Sequence, residues 1–397
     1  MRQQPSQQPG QGRTRQRAER RPRRIRRTVA AAGLALAAVL GAGGWAAADG
    51  QQAVTGPPPG TAAWVADTTL GLRLPDPATA APAEVAAFFD RLPAAARESL
   101  TVRHPLVVGN LDGAPVRLRY RANEAALAEE LGRELARATD PSLTPQDHTA
   151  ARERAARYRT LLDGARDGGR RFLAFDPRGR GQIAEVYGDL ATAPRTAVVV
   201  PGSDIDLRTF DRAGDPYGTP AGMARALHGA TGGGTAVIAW AGYTTPVGVG
   251  PDAATETLAE AGAGRLGRLL DGLAVTTRPD APATVFCHSY GSVVCGLARP
   301  GPEQASGVVV LASPGLGVDS AADLDPRVPL WAVERNDSDW IGHVPYVRFL
   351  GLGHGADPTG PEFGARPLPA TGAHGHTGYF APGTASLAAF TAVALGR

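Results

Sequence analysis

The sequence predicts an α/β fold in which a mostly parallel sheet is flanked by helices and preceded by a small helical region. After residue 170, short apolar runs such as TAVVVPG, TAVIAW and ATVFCHS recur. These runs are continuous rather than alternating, as in strands buried on both faces. Helical stretches such as AGMARALHGA and TETLAEAGAGRLGRLLDGL separate several of the runs, which indicates crossover connections between parallel strands.

The helical region is predicted over residues 81–170. APAEVAAFFDRL, NEAALAEELGRELARA and PQDHTAARERAARYRTLLDGA each place apolar residues at i, i+3 and i+4. Between the first two helices, HPLVVGNLDGAPVRLRYRAN contains too much Gly and Pro for a helix, and we expect it to loop back onto the body. The preceding residues 49–80 are predicted to be a linker, and DGQQAVTGPPPGTA at its start is expected to be unstructured.

The main domain is predicted over residues 171–397. RRFLAFDP and GQIAEVYGD flank PRGRG and predict a hairpin. Six further strands are expected in TAVVVPG, TAVIAW, ATVFCHS, SGVVVLASPG, RVPLWAVE and YVRFLGLGH. A GxGxxG motif at Gly262, Gly264 and Gly267 lies inside a helical pattern rather than directly after a strand, which excludes dinucleotide binding. We expect these glycines to let their helix pack closely on the sheet.

Residues 1–48 are predicted to be an arginine-rich leader with an export signal or a membrane anchor. Residues 1–27 contain ten arginines and one glutamate, and an apolar run over residues 29–48 follows and ends in an A-x-A pattern before Asp49. This order is typical of a secretory signal, and the length of the run also fits an uncleaved span. In both cases we expect an exported body, either secreted or tethered by residues 29–48 to the outer face of the cytoplasmic membrane.

The charge distribution argues against a nucleic-acid partner. The whole chain carries a formal net charge of +3 and the leader carries about +9, so the remainder carries about −6. An acidic body gives nucleic acid no electrostatic attraction. Membrane contact is therefore expected only through the apolar segment of the leader.

The stretch ATVFCHSYGSVVCG indicates a nucleophile at Ser289. ATVF predicts a strand and SVVCGLA a helix, so the serine lies at the strand-to-helix turn that projects a catalytic hydroxyl. Such a turn requires small residues two positions before and after the serine. Gly291 supplies one of them, and Cys287 takes the place of the usual first glycine. The alternative is a structural serine in a βα turn.

From about residue 80 to its C-terminus, the chain resembles an actinobacterial α/β-hydrolase family of undefined substrate whose elbow usually reads GHSYG. The resemblance rests on the phrases VVGNLDGAPVRLRYRAN, FLAFDPRGRGQIAEVYGDL, VVVPGSD, WAGY, CHSYGS and GHTGYF. It implies an α/β-hydrolase fold and a Ser-Asp-His triad, and it implies no established substrate. Cys287 departs from the family pattern.

The acid and the histidine should follow the serine in chain order. Asp337 and Asp339 follow VPLWAVE, and Asp339, with two apolar residues after it, resembles the acid of the family; Asp337 is the alternative, and both also fit turn chemistry. His374 and His376 follow the last predicted strand. GHTGYF aligns His376 with the catalytic position of the family, and His374 is the alternative base. No carboxylate or cysteine cluster accompanies this HxH pair, so we expect no metal and no cofactor.

The predicted function is that of a serine hydrolase acting on a small-molecule acyl substrate, by default a carboxylic ester, through a covalent acyl-enzyme. The backbone N–H groups of Ser203 and Tyr290 are expected to form the oxyanion hole. Trp240, Tyr243 and Phe210 are either pocket-lining or packing residues. The alternatives are peptidase or amidase chemistry, and a catalytically silent binding protein of the same fold at the cell surface.

The two cysteines, Cys287 and Cys295, are expected to point into the same narrow space at the turn. An exported protein can close them into a disulfide that clamps the strand to the helix. Two buried free thiols that act as small apolar fillers are the alternative.

Overall fold

The computed structural model describes residues 51–277 and 279–397. The predicted export signal or anchor over residues 1–48 lies outside the described residues. Within the described ranges, no helix combines the length and the hydrophobicity that a membrane crossing requires.

Helices precede the strands and then separate them, as crossover connections require. The helices are α1 (Thr61–Val65), α2 (Pro82–Arg91), α3 (Ala94–Arg103), α4 (Pro105–Asn110), α5 (Val116–Arg137), α6 (Pro145–Arg166), α7 (Pro220–Ala230), α8 (Pro251–Ala254), α9 (Thr257–Thr276), α10 (Gly291–Ala298) and α11 (Ala385–Ala394). The strands are β1 (Phe172–Asp176), β2 (Gln182–Tyr187), β3 (Arg195–Val200), β4 (Thr235–Ala241), β5 (Ala283–His288), β6 (Ala305–Leu311), β7 (Gly315–Val318), β8 (Leu330–Val333), β9 (His354–Gly355) and β10 (Arg366–Leu368).

The main sheet has the strand order β1-β2-β4-β3-β5-β6-β8-β10. β1 pairs antiparallel with β2, and β2 pairs antiparallel with β4. All later neighbours are parallel. The predicted hairpin and the predicted mostly parallel sheet are therefore confirmed. β7 and β9 form a separate two-stranded sheet.

The central strands are buried on both faces, which explains their continuous apolar sequences. In β3, Val198 and Val200 lie in one core cluster with residues of α9 and α10. Val199 lies in a second cluster with residues of α7 and α11. The sheet is therefore the middle of three layers.

The N-terminal helices contribute to two cores. Around α2 and α3, Trp64, Phe89 and Leu100 belong to a separate cluster. The longer helices α5 and α6 pack directly on the sheet, where the Tyr158 ring meets the Phe175 ring edge-on at 5.5 Å between centroids. The predicted helical region thus covers the antiparallel end of the sheet.

The segment HPLVVGNLDGAPVRLRYRAN differs from its prediction, because it is mostly helical rather than a loop. Pro105 is the first residue of α4, and Pro115 directly precedes α5. Proline is tolerated at a helix start because the N–H that it lacks would have no helical partner there. Gly113, with a φ of 94°, makes the turn between the two helices.

Residues 51–80, predicted to be a linker, are attached to the body. The backbone N–H of Gln51 donates to Asp252, and that of Val54 donates to the Thr244 hydroxyl. The Trp64 side chain in α1 is fully buried, and its indole N–H donates to the Pro75 carbonyl at 2.7 Å. Most of this segment lacks helix or strand, but these contacts order it against the main body.

The last strand of the sheet also lies elsewhere than predicted. YVRFLGLGH contributes a turn closed by Phe349 and Leu352, together with the start of β9, and no strand of the main sheet. The sheet ends instead at β10, which pairs with β8. β10 has the sequence RPL, which does not resemble a buried strand. An edge strand tolerates proline because one of its sides needs no ladder hydrogen bonds.

The GxGxxG glycines all lie in α9. A Cβ on Gly262 would lie 3.1 Å from the Tyr243 side chain, so this glycine permits close packing. A Cβ on Gly264 or Gly267 would meet no described heavy atom within 4 Å. The predicted packing role is therefore correct for Gly262 and wrong for the other two.

Candidate active site

Ser289 occupies the turn between β5 and α10. Its φ is 54°, a left-handed conformation that is strained for a residue with a Cβ. Its N–H donates to the Leu311 carbonyl at 3.0 Å, and the residue is 7% exposed. The turn thus holds the hydroxyl in a fixed position at the carboxyl end of the sheet.

Two glycines allow the backbone to approach this turn. A Cβ on Gly291 would lie 2.6 Å from the carbonyl oxygens of Val200 and Pro201, so α10 begins here only because the position carries no side chain. A Cβ on Gly202 would lie 2.5 Å from the Ser289 Cβ and 2.9 Å from its Oγ. The loop after β3 therefore lies directly against the serine.

The structure joins Ser289, His376 and Asp339 by hydrogen bonds. His376 Nε2 lies 2.8 Å from Ser289 Oγ, and His376 Nδ1 lies 2.8 Å from Asp339 Oδ1. Asp339 follows β8 and His376 follows β10, so the three side chains come from separate loops at the carboxyl ends of the strands. A histidine held in this way can remove the serine proton while the carboxylate fixes its tautomer.

Asp339 is buried and fully hydrogen-bonded. Burial alone would raise its pKa, but hydrogen bonds from His376, from the Ile341 N–H and from the Tyr379 hydroxyl outweigh this effect and lower the pKa of Asp339. The Ile341 bond measures 3.0 Å and the Tyr379 bond 2.7 Å. The carboxylate therefore stays ionised beside the imidazole.

A second histidine, His288, contacts the backbone of His376. His288 Nε2 lies 2.8 Å from the His376 carbonyl oxygen, which can only accept, so this nitrogen of His288 donates. Burial, together with the nearby His376, lowers the pKa of His288 to about 3. His288 is thus a neutral donor that fixes the backbone of the histidine loop.

The Trp340 ring lies 4.5 Å from the His376 ring, and Trp340 is 42% exposed.

Further hydrogen bonds tie the acid loop to the histidine loop. The Asn336 side-chain amide donates to the Gly375 carbonyl at 2.8 Å, and the Gly375 N–H donates to the Ser338 hydroxyl at 2.8 Å. Sequence reasoning missed these partners, as well as Tyr379 and His288. All of them lie within residues 336–339, which read NDSD, or within the motifs CHSYG and GHTGYF, but the sequence does not show which side chain meets which.

The predicted oxyanion donors lie on two anchored segments. Within residues 51–277 and 279–397, neither the Ser203 N–H nor the Tyr290 N–H donates a hydrogen bond to the protein. The Tyr243 hydroxyl donates to the Pro201 carbonyl at 2.7 Å, and the Tyr290 hydroxyl donates to the Thr255 carbonyl at 2.8 Å. Both N–H groups thus lack a protein acceptor among the described residues, and the segments that carry them are held in place by side chains.

The alternative residues lie outside the hydrogen-bonded chain. Asp337 and His374 are exposed, and neither takes part in the contacts of Ser289. The three aromatic residues proposed for the acyl pocket are buried in the core instead. Phe210 is fully buried beside α7, and Tyr243 stacks on Trp240 at 5.9 Å between ring centroids. All three side chains pack in the two core clusters on either face of the sheet.

Cys287 and Cys295 form a disulfide. Of the two alternatives that the sequence left open, a bridge or two free thiols, the structure has the bridge. Their Cα atoms are 6.5 Å apart. Cys287 lies in β5 and Cys295 in α10, so the bridge clamps the strand to the helix on either side of Ser289.

Comparisons with known proteins agree with this fold. A family model described as alpha/beta hydrolase matches residues 176–349. An uncharacterized protein of Mycobacterium tuberculosis is 30% identical over 390 residues, which cover 82% of this chain and 57% of that protein. An uncharacterized protein of Mycobacterium bovis is 35% identical over 201 residues, which cover 48% of this chain and 68% of that protein. The chain therefore spans little more than half the length of its M. tuberculosis relative.

Among solved structures, Thermogutta terrifontis esterase 2 is similar with 13% identity and a TM-score of 0.29, over 54% of this chain and 87% of that one. The family match, the mycobacterial relatives and the sheet topology agree, and the chain belongs to the alpha/beta hydrolase family.

Proposed function

We propose that this protein is a serine hydrolase that cleaves a carboxylic ester of a small molecule. The observation that carries the proposal is the unbroken hydrogen-bonded chain from Ser289 through His376 to Asp339, with the serine in a strained turn. Strain of this kind is found at catalytic turns, where the surrounding structure maintains it.

In the proposed reaction, Ser289 Oγ attacks the acyl carbon while His376 Nε2 takes the hydroxyl proton. The developing oxyanion accepts hydrogen bonds from the N–H groups of Ser203 and Tyr290. His376 then gives the proton to the leaving alcohol, which leaves an acyl-enzyme on Ser289. Water attacks this ester as His376 takes its proton, and the carboxylic acid is released with the serine restored.

Esters are preferred over amides in this proposal because an alcohol is a better leaving group than an amine. The exposed face of Trp340 beside His376 offers apolar surface for one side of the substrate. Peptide or amide hydrolysis stays the alternative chemistry.

We also propose that the protein is exported. The order of charge and apolarity in residues 1–48 supports this, and so does the disulfide between Cys287 and Cys295, because disulfides persist mainly outside the reducing cytoplasm.

Labelling with a fluorophosphonate probe tests the chemistry. We expect the wild-type protein to be labelled and Ser289→Ala to be unlabelled, with His376→Ala strongly reduced. Asp339→Asn should lower the ester turnover rate by about 10⁴-fold, as in other triads. His374→Ala and Asp337→Asn are matched controls from the same two loops, and both should keep the wild-type rate.

Wild-type protein that stays unlabelled, beside a control hydrolase that is labelled, would favour the catalytically silent binding protein. Nitrophenyl esters of graded acyl length and the corresponding nitroanilides then test the substrate class. Faster cleavage of the anilides would contradict the preference for esters.

A further inference from the structure

A cavity lies apart from Ser289 and its hydrogen-bond partners. Its volume is about 350 Å³, and Ser289, His376 and Asp339 do not line it. Liquid water occupies about 30 Å³ per molecule, so the cavity has the volume of about ten water molecules. This is enough room for a small organic molecule. The walls are residues 55–58 and 77–78, the segment from the end of α4 into α5, α9, and residues of β1, β2 and β4 with the loops that follow β1 and β4. We call it the arginine cavity after four of its lining residues, which are Arg119, Arg178, Arg265 and Arg268.

The arginine cavity carries more positive than negative charge. Two aspartates line it and pair with two of the arginines: Asp112 with Arg119 at 2.9 Å, and Asp176 with Arg178 at 2.6 Å. Arg265, by contrast, forms no salt bridge with a carboxylate in the part of the chain that the structure describes, and neither does Arg268. The net charge of the ionisable lining is therefore positive by about two elementary charges.

The two remaining arginines are held by backbone carbonyls. Arg265 Nε donates to the Gly242 carbonyl at 2.6 Å, and one terminal nitrogen of Arg268 donates to the Ala80 carbonyl at 3.1 Å. These bonds orient the guanidinium groups without neutralising them. Burial lowers the pKa of Arg265, which means that its charge is kept at a desolvation cost that a bound anion would offset.

Gln182 gives an independent indication of a ligand. Its side chain lines the same cavity and is only 3% exposed. Its amide oxygen and nitrogen are both buried, and neither has a hydrogen-bond partner among the described residues. A buried amide without partners is costly, so a group that both accepts and donates is expected opposite it.

We propose that the arginine cavity binds a small organic anion. Arg265 and Arg268 would hold the carboxylate or phosphate head group, and the Gln182 amide would hydrogen-bond to a polar group on the body of the ligand. Trp240 and Leu269 also line the cavity and place apolar atoms in its wall beside the rest of the molecule. This binding site is separate from the proposed hydrolase chemistry and does not depend on it.

Isothermal titration of the Ser289→Ala protein tests the proposal without turnover of the proposed hydrolase. The probes are benzoate, phenyl phosphate and uncharged benzamide. We expect at least one of the two anions to bind at millimolar concentration or below and benzamide to bind at least ten-fold more weakly. The anion that binds better identifies the head group. The double variant Arg265→Gln/Arg268→Gln should lose more than about ten-fold in affinity, as expected for charge-assisted hydrogen bonds.

A pair of glycine variants separates loss of binding from loss of fold. Gly264 lines the arginine cavity and Gly267 does not, although both lie in α9 with open space around them. Replacing a helical glycine by leucine favours the helix, so both proteins should fold. Gly264→Leu should place its side chain in the cavity beside Arg265 and Arg268 and block anion binding, while Gly267→Leu should bind as the parent does. Equal binding by both variants, or no preference for an anion over benzamide, would overturn the proposal.

Discussion

Tyr379 donates its hydroxyl hydrogen to Asp339 Oδ2 at 2.7 Å, on the carboxylate oxygen that His376 does not use. Both residues are buried, so this oxygen has little access to water. A buried carboxylate oxygen without a donor would lose solvation without compensation. The tyrosine therefore helps to keep Asp339 ionised and oriented toward the imidazole.

Replacing Tyr379 by phenylalanine tests this role. We expect the turnover number for an ester to fall by about ten-fold, in line with the loss of one hydrogen bond to a charged group, with little change in KM. The pKa of Asp339 should rise, so the acid limb of the pH–rate profile should move to higher pH. Tyr158→Phe, at a buried tyrosine in α6, is the control. An unchanged turnover number and profile would show that Tyr379 is only a packing residue.

Gly202 should not tolerate a side chain. A methyl group there would lie 2.5 Å from the Ser289 Cβ, so either the serine or the oxyanion loop must move. We expect Gly202→Ala to lose about 10²-fold or more in turnover while the protein still folds, because small displacements of reacting groups are costly. Gly214→Ala, further along the same loop with no described heavy atom within 4 Å of the new Cβ, should retain activity. Measured rates that are equal in the two variants would contradict the proposed contact.

The buried His288 predicts a pH dependence of stability. Its pKa is about 3 in the folded protein, against about 6.5 for an ordinary histidine in an unfolded chain. Between these values the unfolded chain binds the extra proton, so the contribution of His288 to stability is lost as the pH falls. In the pH range between these two pKa values, the free energy of unfolding should fall by about 1.4 kcal/mol for each unit by which the pH is lowered.

Urea unfolding between pH 7 and pH 4 measures this effect. The free energy of unfolding of His288→Gln should fall less steeply toward acid than that of the wild type, even if the variant is less stable at pH 7. His374→Gln, at an exposed histidine, should keep the wild-type slope. Parallel slopes for His288→Gln and the wild type would show that His288 does not contribute this titration.

The disulfide is expected to stabilise the fold. The bridge joins residues eight positions apart, and a loop of this length contributes about 2.5 kcal/mol in the chain-entropy model. Cys295→Ala should therefore lower the free energy of unfolding by about this amount under non-reducing conditions. Added reductant should bring the wild type close to the variant. Two cysteines that alkylate freely in native, unreduced protein would contradict the bridge.

Much of the site could be predicted from the sequence because its residues lie in local motifs. The strand and helix around Ser289 have clear patterns, and the order of serine, acid and histidine along the chain limited the choice to Asp337 or Asp339 and His374 or His376. The contacts that distinguish these pairs are made between loops far apart in the chain. Residue spacing alone therefore could not decide which of the two aspartates and which of the two histidines belongs to the site.

Local sequence preference could not predict two parts of the fold, which are strand β10 and the turn in YVRFLGLGH. β10 has the sequence RPL and is a strand because β8 offers it an edge. YVRFLGLGH has the composition of a strand, yet it turns at Gly351 and Gly353, whose φ values are 78° and 81°. Burial and pairing with neighbours override local preference in such short segments.

The sequence by itself determined the class of fold, the buried parallel strands and the position of the turn that carries Ser289, because apolar periodicity and turn chemistry are local properties. Only the tertiary structure decided that Tyr379 and His288 support Asp339 and His376, that the two cysteines are bridged, and that the GxGxxG helix borders a cavity with two arginines lacking acidic partners among the described residues. Each of these is a contact between distant parts of the chain, and the sum of packing over the whole fold determines which of them form.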